Sequence, residues 1–202
     1  MTRDNLNEDD QDILRELSNI AAGYSATALG KMVGKTIDIN IPEVRIIPVD
    51  KLPRMFDNAD EWVVVVVCAL TEAPRALLVQ VIPSETVLLI IKKMVGEDVR
   101  SITDLSSINE SALQEIGNIL AGAYVTALSE TIGQRVTHSY PGIVVGKNGM
   151  IQDCVSHIMN GFVPYVMIFT HFSDKQKELS LSFLTVANME TVDFIFSKMG
   201  MS

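Results

Sequence analysis

Two long stretches of the chain place apolar residues at helical spacing. They cover residues 8–33 and about 108–132, and a glycine follows each of them, Gly34 and Gly133. A glycine just past the last periodic residue is typical of a helix end. Ser107-x-x-Glu110 fits a capping box at the start of the second stretch. At 1.5 Å per residue, each helix would be about 39 Å long, so we predict two long, partly exposed helices.

Shorter stretches of strand character follow each predicted helix. After the first helix they cover 36–49, 62–70 and 75–82, and after the second they cover 135–146, 151–159, 162–172 and 178–187. Short helices are predicted at 84–95 and 189–199. Because most connections between the strands are too short for helical crossovers, the sheet should be largely antiparallel. The pattern therefore predicts an α+β fold with helices packed on the sheet.

The chain repeats itself at an offset of 99 residues, which sets Asn19 over Asn118. Identical residues at this offset include Glu16 and Glu115, Gly23 and Gly122, and Pro42 and Pro141. The second copy has gained a few residues, and no low-complexity linker separates the copies. We predict a single domain over residues 1–202, built from repeats 1–100 and 101–202 that are related by a pseudo-twofold axis.

A narrow polar stripe runs along each predicted long helix, opposite the apolar face. In the first helix the stripe holds Asp12, Glu16, Asn19, Gly23 and Thr27, and in the second it holds Ser111, Glu115, Asn118, Gly122 and Thr126. The same helical projection puts Tyr24 with the apolar residues of the first helix and Ile119 with those of the second. Mid-helix Asn and Gly disfavour a helix, and their recurrence indicates a function that packing does not require. The small residues would let another molecule approach closely.

Composition and charge exclude several classes of protein. The 202 residues are 48% hydrophobic and carry a net charge of −9, so the chain should fold and should not be attracted to nucleic acid. The longest apolar run, Trp62 to Leu70, is too short to span a membrane, and the first residues lack a signal-peptide core. We expect a cytoplasmic protein that binds no nucleic acid and does not insert into a membrane.

Other candidate sites are weak. Residues 30–36 resemble a P-loop but have three residues between the glycines where that motif has four, and they follow a helix rather than a strand. Cys68 and Cys154 are expected to be buried free thiols. The histidines lie on predicted strands without the spacing of a metal pair, and we expect them to be structural: His138, His157 and His171. We expect no metal site.

The two stripes resemble the paired signatures of the CheC family of chemotaxis phosphatases, which dephosphorylate the response regulator CheY. The matching patterns are Asp12-x3-Glu16-x2-Asn19-x22-Pro42 and Ser111-x3-Glu115-x2-Asn118-x22-Pro141. The resemblance covers essentially the whole chain. It is greatest to CheC-type chains, since FliY proteins carry additional segments and CheX proteins have one signature and dimerise. Ser18 departs from the glycine that is more usual in the family and is present as Gly117.

The resemblance implies roles for the signature residues. Asn19 and Asn118 would orient the water that attacks the aspartyl phosphate of CheY, while Glu16 and Glu115 would pair with the active-site lysine of the regulator. The other stripe residues, Asp12, Gly23, Ser111 and Gly122, would contact the partner. Pro42 and Pro141 would shape the entrance to a strand beneath the helix. The family picture implies no cofactor of this chain's own, and the magnesium ion belongs to the regulator.

Expected partners are phosphorylated CheY and possibly the receptor deamidase CheD, and duplication within one chain favours a monomer. The alternative is a non-catalytic adaptor that binds CheD or phosphorylated CheY. Glu and Asn on the outer face of both helices argue against a purely structural role, because packing needs neither residue there.

Overall fold

A computed structural model describes residues 6–47, 58, 60–159 and 165–201. Its α-helices are α1 (Glu8–Val33), α2 (Ser84–Met94), α3 (Ser107–Ile132), α4 (Ile151–Met159) and α5 (Met189–Lys198). Its strands are β1 (Ile37–Ile39), β2 (Glu43–Ile47), β3 (Trp62–Thr71), β4 (Ala76–Pro83), β5 (Thr137–His138), β6 (Gly142–Lys147), β7 (Tyr165–Asp174) and β8 (Ser180–Ala187). Short 3₁₀ turns lie at Ile102–Asp104 and Asn148–Met150.

The two long helices begin and end with strong capping signals. Asn7 caps α1 in a capping box with Asp10, and the left-handed glycine Gly34 (φ 67°) closes the helix. In the second repeat, α3 ends at Gly133 in the same way. The prediction of a box between Ser107 and Glu110 is wrong by one residue. The helix is capped instead by Ser106 and Asn109, whose side chain accepts a hydrogen bond from the backbone N–H of Ser106 at 3.0 Å.

Two long predicted strands are each divided in the structure. The stretch 36–49 forms β1 and β2, and 135–146 forms β5 and β6, with breaks just before Pro42 and Pro141. Proline has no N–H to donate to a strand ladder, so the pairing stops before each proline and resumes after it. Residues 48–49, the end of the first predicted stretch, and 162–164, the start of a later one, lie outside the described residues.

The predicted strand 151–159 is wrong, because this segment forms the helix α4. Ile151 and Val155 are buried, four residues apart, whereas Asp153, His157 and Ile158 are exposed. This is helical spacing, and a strand would require alternation. His157 therefore lies on a helix, while His138 and His171 lie on strands β5 and β7 as predicted.

The sheet is antiparallel at every described pairing and is shared between the two repeats. Its order is β1-β7-β8-β4-β3-β5, with β2 also on β7 and β6 also on β3. The outer strands of each repeat thus pair with the other repeat, and β4 and β8 meet in the middle, where Val79 faces Leu184. The strand order reads the same from either edge once the repeats are exchanged. The predicted α+β fold of two related units with a largely antiparallel sheet is confirmed.

The helices cover both faces of the sheet. The long helices α1 and α3 pack on each other and, with α2, bury one face, to which Val64, Val66 and Cys68 belong. On the opposite face α4 packs against Val63, Val65 and their neighbours. Cys68 is a buried free thiol, as predicted, and burial raises its pKa to about 11. The side chain of Cys154 lies outside the described residues. None of the helices in the described ranges has the length and apolarity that crossing a bilayer requires.

Candidate functional site

The predicted polar stripes lie on the outer side of α1 and α3. Asp12, Glu16 and Asn19 are exposed, and Gly23 is half-buried. On α3 the exposed members are Ser111 and Glu115, and the half-buried ones are Asn118 and Gly122. Both amides are thus within reach of another molecule, with Asn19 more open than Asn118. Their proposed roles remain predictions.

Most positions on the apolar sides of the helices are buried or half-buried, and Tyr24 is the most exposed of them. Tyr24, expected in the core, is 47% exposed, and its hydroxyl donates to a carboxylate oxygen of Glu130 on α3 at 3.3 Å. Ile119 is only half-buried. The projection of a single helix treats one side as core, whereas α1 and α3 lie side by side and leave a groove between them. Tyr24 and Ile119 line this groove, which opens to solvent.

The Glu and Asn side chains of both stripes have no partner among the described residues. Glu16, Asn19, Glu115 and Asn118 make no side-chain hydrogen bond or ion pair with any residue that the structure describes. By contrast, Asp12 forms an ion pair with Arg15 on the same helix. A carboxylate and an amide without partners keep their full capacity for a cation and for a water molecule or phosphoryl oxygen of another protein.

The polar groups beneath the two stripes differ between the repeats. The hydroxyl of Tyr124 is buried between Ser18 Oγ at 3.2 Å and Thr185 Oγ1 at 2.9 Å. In the other repeat, Gln80 donates its amide to the Gly117 carbonyl at 2.9 Å. Burial raises the pKa of Tyr124, which keeps its hydroxyl protonated. Each arrangement fixes the helix residue immediately before the signature asparagine.

These supporting residues are not among the site residues that the sequence predicts, although the sequence contains a signal for them. Gln80 interrupts the otherwise apolar strand β4, and Thr185 is a buried polar residue at the matching position of β8. A buried polar residue in the middle of a sheet needs a hydrogen-bond partner. The partner of Gln80 is the Gly117 carbonyl of α3. The partner of Thr185 is the Tyr124 hydroxyl, which also contacts Ser18 of α1.

The two stripe glycines are not required by packing within the chain. A Cβ on Gly23 would meet no atom of the described residues within 4 Å, and one on Gly122 would lie 3.6 Å from His138 Nε2, an ordinary contact. The carbonyls of these glycines accept hydrogen bonds from Thr27 Oγ1 at 2.9 Å and Thr126 Oγ1 at 2.7 Å. The space above the glycines is therefore open to a second molecule.

The signature prolines are buried where a strand begins beneath each helix. Pro42 directly precedes β2, and Pro141 directly precedes β6. The Pro141 carbonyl accepts a hydrogen bond from Gln114 Nε2 at 3.3 Å, one residue before Glu115 on α3. This contact joins the entrance of the strand to the stripe.

The other candidate sites show no catalytic arrangement. Lys35, in the P-loop-like segment, donates to Asp174 and to Glu178, the latter at 2.6 Å, and is therefore already neutralised. The segment follows α1, not a strand. Within the described ranges no group of three or more His, Cys, Asp or Glu residues is placed to hold a metal ion. Burial lowers the pKa of His171, which favours its neutral form.

Comparisons with known proteins match both repeats. A family model described as the CheC-like family matches residues 10–46 and 108–145, the segments that contain the two stripes and prolines. The chain is 27% identical over 202 residues to the CheY-P phosphatase CheC of Bacillus subtilis (strain 168), covering 98% of this chain and 97% of that protein. Both stripes therefore lie inside the segments that the family model matches.

Similarity extends to flagellar switch proteins. The chain is 30% identical over 141 residues to the flagellar motor switch phosphatase FliY of the same B. subtilis strain, covering 69% of this chain and 36% of FliY. The crystal structure of Thermotoga maritima FliY is 24% identical and has a TM-score of 0.75, covering 96% of this chain and 98% of the crystallised one. The structural match shows a shared fold.

Proposed function

We propose that this chain, which belongs to the CheC-like family, is a phosphatase that accelerates hydrolysis of the aspartyl phosphate on a CheY-type response regulator. The observation that carries the proposal is the accessible Glu–Asn pair on α1 and again on α3, whose side chains have no partner in the described part of the chain. The similarity to a protein named as a CheY-P phosphatase supports the choice of substrate.

The amides of Asn19 and Asn118 would position the attacking water. A carboxamide donates and accepts hydrogen bonds, so it can hold a water molecule in line with the phosphorus–oxygen bond that breaks. Positioning of this kind, together with electrostatic stabilisation, is what proteins contribute to phosphoryl transfer. No covalent intermediate on this chain is needed, because water is the nucleophile.

The carboxylates of Glu16 and Glu115 would align the regulator. Each lies three residues before its asparagine and therefore on the same side of the helix. An accessible carboxylate pairs with a lysine by a charge-assisted hydrogen bond, which fixes how the two proteins meet. The glycine one turn after the asparagine leaves room for the surface of the regulator.

The regulator would supply the remaining chemistry. Magnesium bound in the active site of the regulator would neutralise the charge that develops on the phosphoryl group. The proposed reaction requires no cofactor of this chain and places it in the cytoplasm with its substrate. Because one chain carries both sites, the proposal also requires no dimer.

The test is to follow the decay of phosphorylated CheY with and without this protein. The proposal expects faster decay with the wild type. It also expects Glu16→Gln combined with Glu115→Gln to raise KM more than it lowers kcat, since the carboxylates align the partner. Unchanged decay in the presence of the wild-type protein would contradict the proposal.

A second candidate function is a binding module in the flagellar switch or an adaptor for CheD. The similarity to FliY, a protein named for the motor switch, favours the former. An adaptor would bind phosphorylated CheY or CheD without changing the lifetime of the phosphoryl group. Pull-down with each partner, run beside the decay assay, separates binding from catalysis.

A further inference from the structure

Two exposed apolar side chains occupy matching positions in the repeats, next to the signature prolines. Ile41 is 77% exposed and precedes Pro42, whereas Tyr140 is 74% exposed and precedes Pro141. The two positions are related by the same offset of 99 residues as the signatures. A single exposed apolar residue is ordinary. Recurrence at the same place in both repeats calls for a reason.

The residue before each of these side chains is clamped to the neighbouring strand. The Asn40 N–H donates to the His171 carbonyl at 3.1 Å, and the His171 N–H donates to Asn40 Oδ1 at 2.6 Å. The second repeat contains the equivalent pair of hydrogen bonds. The Ser139 N–H donates to the Ala69 carbonyl at 2.8 Å, and the Ala69 N–H donates to Ser139 Oγ at 3.0 Å.

A buried proline follows each exposed residue and restricts its backbone from the C-terminal side. Proline restricts its own backbone and that of the residue before it. Ile41 and Tyr140 are therefore held at both neighbours while their side chains remain in solvent. An apolar group presented in this way loses little conformational entropy when a partner covers it.

The clamped segment of the second repeat runs beside the stripe on α3. His138 Nε2 would lie 3.6 Å from a Cβ on Gly122, and the Pro141 carbonyl accepts from Gln114, next to Glu115. Tyr140 lies between these two contacts in the chain. It therefore lies alongside the part of α3 that contains Glu115 and Asn118.

The corresponding segment of the first repeat runs beside α1. Gly23 and Ile39, the counterparts of Gly122 and His138, line one shared surface cavity of about 480 Å³. Ile41 follows two residues later, as Tyr140 follows His138. Tyr140 thus adjoins the Glu–Asn pair of α3, and Ile41, at the matching position, follows the segment that meets the α1 stripe at Gly23.

We propose that Ile41 and Tyr140 are docking contacts for the phosphorylated regulator. The regulator is the occupant because each side chain adjoins the surface that must meet its phosphorylation site, an inference that rests on the proposed function. The regulator would present apolar residues beside its aspartyl phosphate. A fixed apolar anchor next to polar, orienting groups is the arrangement of a binding hot spot. Because Tyr140 is the larger side chain, the α3 site should bind the regulator more tightly than the α1 site.

The test compares Ile41→Ser combined with Tyr140→Ser against the wild type in two assays. One is steady-state hydrolysis of phosphorylated CheY, and the other is binding of CheY held in its active form by beryllofluoride. We expect KM and Kd to rise about ten-fold or more, because losing a contact worth about 1.4 kcal/mol weakens binding ten-fold. The kcat value should stay within about two-fold, because neither side chain reaches the phosphoryl group.

A matched control and a conservative variant complete the design. Met94→Ser removes an apolar side chain that is 43% exposed on α2, outside both stripes, and should leave KM and Kd unchanged. Tyr140→Phe keeps the ring and should behave as the wild type. Unchanged Kd and KM in the double variant, with its thermal unfolding also unchanged, would overturn the docking proposal.

Failure of the proposed function would give a different pattern of results in these assays. If the wild type binds CheY but does not accelerate hydrolysis, catalysis is refuted, and the docking contacts are upheld when the double variant still weakens binding. If the wild type does not bind active CheY at all, both proposals fall.

Discussion

Gly117 lies so close to Val66 that a Cβ on this glycine would be 2.4 Å from the Val66 Cγ1 atom. The backbone of α3 therefore packs directly on β3, one residue before Asn118. In α1 the equivalent residue is Ser18, whose hydroxyl has room beneath the helix and meets Tyr124. The close approach of α3 to the sheet, just before the Asn118 amide, therefore depends on Gly117.

Gly117→Ala should destabilise the fold by about 1–3 kcal/mol, since a methyl group would be forced against a buried valine in the middle of the sheet. Urea unfolding at pH 7 measures the change. Ser18→Ala is the matched variant in the other repeat and should cost about 1 kcal/mol, because it removes a hydrogen bond without adding bulk. Equal stability of Gly117→Ala and the wild type would contradict this account of the contact.

Gly23→Ala should raise stability by about 0.5–1 kcal/mol, because alanine favours a helix and its methyl group would meet none of the described residues. The same variant should lower the phosphatase rate of the first site, measured in an Asn118→Ala background that silences the second. A stabilised variant with a full rate would show that the glycine leaves no necessary space for the regulator.

Tyr124→Phe should lower stability by about 1 kcal/mol, since it removes the hydroxyl that joins Ser18 to Thr185 and leaves both without this partner. Tyr24→Phe is the matched control. Its hydroxyl is on the surface, and its loss should change stability by less than about 0.5 kcal/mol. Comparable losses for the two variants in a urea titration would show that the buried hydroxyl is not a structural link.

The ion pair of Lys35 and Asp174 should make stability depend on pH. Burial alone would raise the pKa of Asp174, but hydrogen bonds from Lys35 and the Leu179 N–H outweigh it, so the pKa is lowered. A carboxyl with a lowered pKa stabilises the fold fully above its unfolded pKa, about 3.9. That contribution is lost as the pH falls through the lower folded value.

Lys35→Met should therefore destabilise the protein at pH 7, and the effect should shrink as the pH falls below about 3.9. The hydrogen bonds to Asp174 and Glu178 raise the pKa of Lys35, so the lysine stays charged across this range. Urea unfolding of both proteins at pH 7, 5, 4 and 3 measures the difference. A difference that stays constant down to pH 3 would exclude the carboxylate of Asp174 as the partner that matters.

Much of the fold could be predicted from the sequence because its strongest signals are local and repeated. Helical spacing and terminal glycines placed α1 and α3 within one residue at each end. The prediction of a strand over 151–159 was wrong because a short apolar run fits both a helix and a strand until burial is known. The exchange of outer strands between repeats depends on pairing between distant residues, which periodicity does not contain.

The residues of the candidate site could likewise be predicted where the signal is local, but not where it depends on the packing of distant elements. Glu16, Asn19 and their counterparts emerged from spacing, because residues three and four apart share a helix face. Tyr24 was misplaced because its exposure depends on how α3 lies beside α1. Gln80 and Thr185 could not be assigned without the sheet, since the groups they contact belong to distant parts of the chain.

The most direct measurement of the central claim is the decay of phosphorylated CheY in the presence of the Asn19→Ala, Asn118→Ala double variant. If the amides orient the attacking water, the variant should lose about 100-fold in rate, while its thermal unfolding and its binding to beryllofluoride-treated CheY stay close to those of the wild type. Each single variant should retain the activity of the remaining site. Acceleration by the double variant equal to that of the wild type would contradict the account.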